Sequence, residues 1–340
     1  MRLSGIKLIA SFFLAAVLSA PAWGATPALP GTLNYVEGQA SIGDQTLNAK
    51  SVGSVDLQAG QTISTGTGKA EVLLTPGVFF RLGDDSAATL ISPSLTNTEI
   101  ALSKGHAMVE VDDIHKDNVL RVQQNGATTQ LLKTGIYEFD AANGAVRVYK
   151  GEALVQDGDR QVNVKGGHQL AVATENTNGK LKTTKFSQSE YQDTDLYRFS
   201  NLRSEYMAEA NVNAASLYWP GAPGWVGAGW YWDQAFWGYT WIPGDGFFTG
   251  PFGWGFYSPL WVGYAPYYGY PYGYWRGRPY VAGSRPYVTG QFSHARPGYI
   301  GHPQGFRGPT SANVGASHMG VMSGGGFHGG GFSGGGGFHR

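Results

Sequence analysis

Side chains able to accept or relay a proton are sparse in the first part of this chain, and their spacing suits catalysis poorly. His106, His115 and His168 are the only histidines before residue 290. His106 follows Lys104-Gly105 and His168 follows Gly166-Gly167, so both fall at turns or strand edges. A nucleophile needs a base within hydrogen-bond reach. The chain has no Gly-x-Ser-x-Gly elbow, no His-Glu-x-x-His and no phosphate loop of the Walker type. Asp84-Asp85 and Asp112-Asp113 are paired acids, which act as acid and base only where their surroundings split their proton affinities. Consecutive strand residues face opposite sides, so both pairs are expected as solvated turn residues. His294, His302, His318, His328 and His339 are irregularly spaced in a tail without carboxylates, which predicts no metal site there. No cofactor signature is present, and the expectation is a non-enzymatic protein.

The chemistry that is concentrated is aromatic. Nine of the ten tryptophans lie between Trp219 and Trp275, among Gly, Pro and Tyr and with very few charges. Rings bind by face and edge and dominate contact hot spots. The candidate contact residues are Trp225, Trp230, Trp232, Trp237, Trp241, Trp254 and Trp261. Three readings follow from the composition: a disulfide-free mini-core, rings displayed to a glycan or protein, or a segment settled in a membrane interface. A different class, an envelope glycan hydrolase with a Trp-lined subsite, would need two carboxylates, and this segment offers Asp233 and Asp245.

The elements that must position these rings are set by the rest of the chain. Arg2, Lys7 and the apolar run Leu8 to Leu18 read as an export signal (residues 1–24) cleaved after Gly24. The mature chain is expected in the periplasm or outside the cell, without a transmembrane helix. The chain has no cysteine, so no disulfide or thiolate site can brace it. Its formal net charge is zero, and the weakly basic tail is far from a nucleic-acid-binding stripe. From 29 to 185 the apolar period is two, as in Val72, Leu74, Val78, Phe80 and Leu82. Asn125-Gly126, Asn143-Gly144, Asp157-Gly158 and Asn178-Gly179 mark turns, and Lys104-Gly105 marks a hairpin or corner. The spacing predicts a mainly β domain of short strands, solenoid-like or sandwich-like, with two similar halves at about 29–110 and 111–185.

The ordered set Leu57-Gln58-Ala59-Gly60-Gln61-Thr62-Ile63-Ser64-Thr65-Gly66, Phe80-Arg81-Leu82-Gly83-Asp84-Asp85-Ser86, Thr134-Gly135-Ile136-Tyr137-Glu138-Phe139, Val148-Tyr149-Lys150-Gly151-Glu152-Ala153 and Gly167-His168-Gln169-Leu170 resembles the FecR-type periplasmic domain. The resemblance spans roughly Gly31 to Ala173. It implies a β fold in the periplasm. FecR proteins proper are anti-sigma regulators with a cytoplasmic segment and a membrane helix ahead of this domain; here the signal sequence runs straight into it.

Past the domain, Ser187 and Glu190 form a capping-box sequence with Phe186 and Tyr191 at staple positions. Leu196, Phe199, Leu202, Tyr206 and Ala210 then predict one amphipathic helix over 187–213. An aromatic Gly/Pro/Tyr/Trp-rich module follows at 216–281, and 282–340 reads as a disordered low-complexity tail. The whole reads as an exported binding, scaffold or sensor module, its partner an envelope protein or a glycan and its oligomeric state open.

Overall fold

The structure is a computed structural model, and it describes residues 28–172, 181–218 and 224–264. The signal sequence, the Asn178-Gly179 turn, Trp219, Trp275, the tail and its five histidines lie outside the described residues. The chain forms a mainly β body. Its strands are β1 (Leu33–Ile42), β2 (Gln45–Thr46), β3 (Thr62–Leu73), β4 (Val78–Leu82), β5 (Ala87–Ser94), β6 (Asn97–Lys104), β7 (His106–Val111) and β8 (Val119–Gln124). They continue as β9 (Ala127–Leu131), β10 (Gly135–Asp140), β11 (Ala145–Lys150), β12 (Glu152–Asp157), β13 (Arg160–Lys165), β14 (His168–Ala171) and β15 (Thr183–Lys185). Two helices follow, α1 (Gln188–Gln192) and α2 (Asp195–Leu217), then two hairpins, β16 (Gly229–Asp233) with β17 (Gly238–Ile242) and β18 (Phe247–Thr249) with β19 (Gly255–Tyr257).

The first fifteen strands make one sheet, ordered β13-β12-β9-β8-β6-β5-β3-β4-β7-β10-β11-β14-β15, with β1 beside β3 and β2 beside β1. Strand β3 is long enough to serve two wings. Its start pairs with β5 (Thr62 opposite Thr89) and its end with β4 (Val72 opposite Phe80). The wings close on one apolar core, which mixes Ile100, Leu120 and Val122 from one with Phe80, Val109, Phe139 and Val146 from the other. Of the two expected arrangements, this near-closed sheet is the sandwich-like one.

The turn residues explain the connections. Asn125 and Gly126 both have positive φ (49° and 79°), as a two-residue hairpin between β8 and β9 requires. Asn143-Gly144 ends a four-residue turn in which only Gly144 is left-handed. Lys104-Gly105 is a corner: β6 pairs with β5 and β8, and β7 with β4 and β10.

The predicted single helix is split. Thr194 is extended and caps α2, its hydroxyl accepting from the Tyr197 amide and donating to the Tyr191 carbonyl. Ser187 makes no capping bond, although Phe186 and Tyr191 meet edge to face at 5.6 Å. Of the predicted stripe, Leu196, Phe199 and Ala210 are buried, while Leu202 and Tyr206 are only half-buried; the buried face also carries Ser200, Arg203, Ser204, Met207, Asn211 and Ala214.

Candidate functional site

Helix α2 lies between the outer face of the sheet and the two aromatic hairpins. Strands β3, β4 and β7 each direct a charged residue outward between apolar neighbours: Glu71, Arg81 and Glu110. Period-two alternation reads such positions as solvent-facing. The helix covers them instead, and all three are fully buried. Arg81 donates from Nε to Glu71 and from Nη1 to Glu110, both at 2.7 Å. From the helix, Arg203 donates to Glu71 at 2.7 Å and Ser204 to Glu110 at 2.6 Å. Asn34 on β1 gives Glu71 a further bond at 2.9 Å. Burial works to raise the Glu71 carboxyl, but Arg203 and Arg81 outweigh it and hold it down at about 2. Glu110 is raised, burial exceeding the help from Arg81 and Ser204.

Asp112, expected in a solvated turn, is 2 % exposed, and its oxygens accept from no donor among the described residues. Burial first and then Glu110 push it well above the ordinary carboxylate range. The cluster therefore sets three carboxyls against two guanidiniums. A proton retained by the Glu110–Asp112 pair removes the uncompensated buried charge.

The hairpins are fastened by two asparagines, each pairing with backbone. Asn34 accepts from the Tyr239 amide (2.7 Å) and donates to its carbonyl (2.9 Å). Asn211 donates to the carbonyls of Trp241 and Tyr257 (2.9 and 3.0 Å) and accepts from the Tyr257 amide (2.8 Å). These bonds tie β1, α2, β17 and β19 together, and apolar packing of Leu73, Phe79, Met207, Tyr239, Trp241 and Phe256 fills the space between them.

The structure scatters the seven candidate tryptophans between core and surface. Trp241 is 1 % exposed and belongs to that packing, so it reaches no partner while the hairpins are seated. Burying one ring of its size contributes roughly 4–6 kcal/mol of transfer free energy before chain entropy is counted. Trp230 meets Phe79 edge to face at 5.1 Å. Trp225 stacks on Tyr231 (5.4 Å, 20°), and Trp254 donates its indole N–H to Asn201. Trp232 is partly buried against the core, while Trp237 and Trp261 are each 37 % exposed.

A cleft of about 420 Å³ lies where the start of α2 meets the sheet, lined by Lys69, Asp84, His106, Glu138, Asp140 and Arg147 among others. Its charges are already paired. Lys69 bonds Asp195 (2.6 Å) and Asp84 (3.1 Å), and these carboxylates raise it against the lowering effect of burial. Arg147 bonds Glu138 (3.0 Å) and Asp140 (3.4 Å) and stacks 4.1 Å over Tyr191. His106 stands on the rim, 3.8 Å from Asp140; His115 faces Asp113 at 3.5 Å, and His168 lies 3.1 Å from the Gly166 carbonyl. Among the described residues no group of His, Asp and Glu is arranged to hold a metal, and no helix is long and apolar enough to cross a membrane.

Asp233 and Asp245 lie toward opposite ends of β17. Asp233 is 5 % exposed and accepts from the Phe236 amide. It pairs with Gly238 at the start of β17, whereas Asp245 follows the end of that strand.

Residues 61–154 match the family model for FecR protein, and the chain carries a FecR-like domain. Among the similar solved structures are two crystal structures of a candidate anti-sigma factor from Parabacteroides distasonis ATCC 8503. The first shares 17% identity over 38% of this chain and 62% of its own length, with a TM-score of 0.33. The second shares 15% over 46% of this chain and 72% of its own, with a TM-score of 0.32. The chain thus spans less than two thirds of the first structure's length. No curated protein matches the chain.

Proposed function

We propose that this chain is an exported, non-enzymatic envelope protein, a binding or sensor module that contacts a protein or glycan through its Trp-rich module. The observation that carries the reading is the seating of that module. Asn34 and Asn211 bind the hairpin backbones to β1 and α2, so the rings stand on a fixed body. Rigid aromatic display lowers the entropy lost on binding. Four of the buried acids, Glu71, Glu110, Glu138 and Asp140, bond to basic neighbours, which supports the non-catalytic half of the reading. The contact surface narrows to the rings with open area, Trp237 and Trp261 foremost. Export, the envelope location and a sensor role are supported by the signal-like N-terminus and the FecR match. Cell fractionation with sequencing of the mature N-terminus tests the reading. A periplasmic or secreted chain beginning at Ala25 is expected, and a cytosolic chain beginning at Met1 would overturn it.

A further inference from the structure

One tryptophan is held in a backbone conformation that its type disfavours. Trp237 has φ of 49°, in the left-handed region. Three described non-glycine residues share that property, and the other two are Asp85 and Asn125, whose short polar side chains tolerate it. Gly238 follows directly, yet the left-handed position falls on the indole. Trp237 closes the loop between β16 and β17, where hairpins ordinarily place glycine or asparagine. A bulky residue kept there at a conformational cost points to display.

The surroundings fix the ring. Asp233 accepts from the Phe236 amide at 2.8 Å and shapes the loop, and Phe236 packs on Tyr206 at 6.2 Å. Trp237 meets Trp232 at 5.5 Å with the planes 74° apart. Trp232 in turn meets Tyr239 at 5.1 Å and 76°. Its far edge presses on Gly53, where a Cβ would come within 2.5 Å of the ring. The result is a braced corner of two near-perpendicular indoles with the outer one 37 % exposed. The loop residues Gln234 to Gly238 carry no charge.

We infer that the Trp232–Trp237 corner is a carbohydrate-stacking platform that takes an uncharged pyranose ring of an envelope glycan. A sugar ring presents a flat C–H face to an indole and hydroxyls to the flanking polar groups, here the Trp237 N–H and the exposed Gln234. The uncharged loop offers no pull to an anionic lipid surface or a charged peptide. The inference rests on the contact reading above and names the ligand class for it.

The test is a titration of the mature protein with soluble β-1,4-linked N-acetylglucosamine oligomers, and with the matching glucose oligomers, followed by tryptophan emission and calorimetry. Saturable binding is expected to one series, weakened at least about tenfold by Trp237→Asn, which corresponds to about 1.4 kcal/mol. Trp237→Phe, which keeps a ring, should retain part of the affinity. Asparagine tolerates the left-handed backbone, so Trp237→Asn should unfold at the same temperature as the parent or higher. A lower midpoint would show Trp237 to be a packing residue and overturn the inference. Unchanged sugar affinity in Trp237→Asn, or no binding by the parent to either series, would overturn it too. Those results leave the contact reading standing, because that reading falls separately, to a cytosolic chain that keeps Met1.

Discussion

Replacing Arg81 by methionine is the sharpest probe of the buried cluster. The change keeps side-chain bulk but removes the two 2.7 Å bonds to Glu71 and Glu110. Three buried carboxyls then face Arg203 alone. Breaking one side of a buried ion pair costs about 3–5 kcal/mol, because the remaining charge stays desolvated. The loss has a definite pH dependence. Glu71 sits at about 2 in the folded protein against 4.5 ordinarily, so its contribution is complete above about pH 4.5 and fades as pH falls toward 2. Without Arg81 that depression shrinks, so the deficit of the variant should be largest near pH 7 and less than half as large near pH 3. Urea unfolding followed by tryptophan emission at both pH values measures it. The double variant Arg81→Met/Glu110→Met leaves the Glu71–Arg203 pair intact and removes one uncompensated acid, so it should recover much of the loss. A deficit below about 1 kcal/mol at pH 7, or a double variant weaker than the single, would refute the charge accounting.

Two further outcomes follow from the helix. Burial, and then Glu205 one turn away, raise Glu209 to about 7 from 4.5, so folding favours its protonated form and loses stability as pH climbs between those values. Glu209→Gln should therefore add roughly 1–2 kcal/mol at pH 8, a figure reduced for its partial solvent contact, and nothing near pH 4; equal gains at both pH values in thermal melts would contradict this. Asn211→Ala strands the carbonyls of Trp241 and Tyr257 and the Tyr257 amide, which should cost about 2–4 kcal/mol and shift tryptophan emission to the red. An unchanged melting temperature would count against the fastening role of Asn211.

The β body was legible because most of its core side chains alternate and several of its turns carry Asn-Gly or Asp-Gly. Val72, Phe80 and Val109 all point into the core as period two requires. The parallel pairing of β6 with β8 was not legible, since register between strands separated by β7 leaves no local mark. The apolar part of the helix face was legible in Leu196, Phe199 and Ala210, but its polar part was not. Ser200, Arg203, Ser204 and Asn211 are buried because they answer Glu71, Glu110 and the hairpin backbones, and apolar periodicity is blind to a polar seam. Asp112 escaped for the same reason, since an Asp-Asp pair looks solvated until a covering element is known. Of the aromatic residues, sequence singled out the region, but only backbone geometry separated Trp237 from Trp241.

The seating of the hairpins also decides what can be moved as one piece. The anchor for Tyr239 comes from Asn34, over two hundred positions earlier in the chain, and the lining beneath it from Leu73 and Phe79. A graft of the Trp-rich segment alone onto another β body would leave its backbone edges thirsty and its rings without a floor. A domain cut off before Gly224 would in turn bare the helix flank that the hairpins roof. The transplantable cassette is therefore the stretch from β1 to β19, since recombination inside it parts the hairpins from Asn34, Leu73 and Phe79.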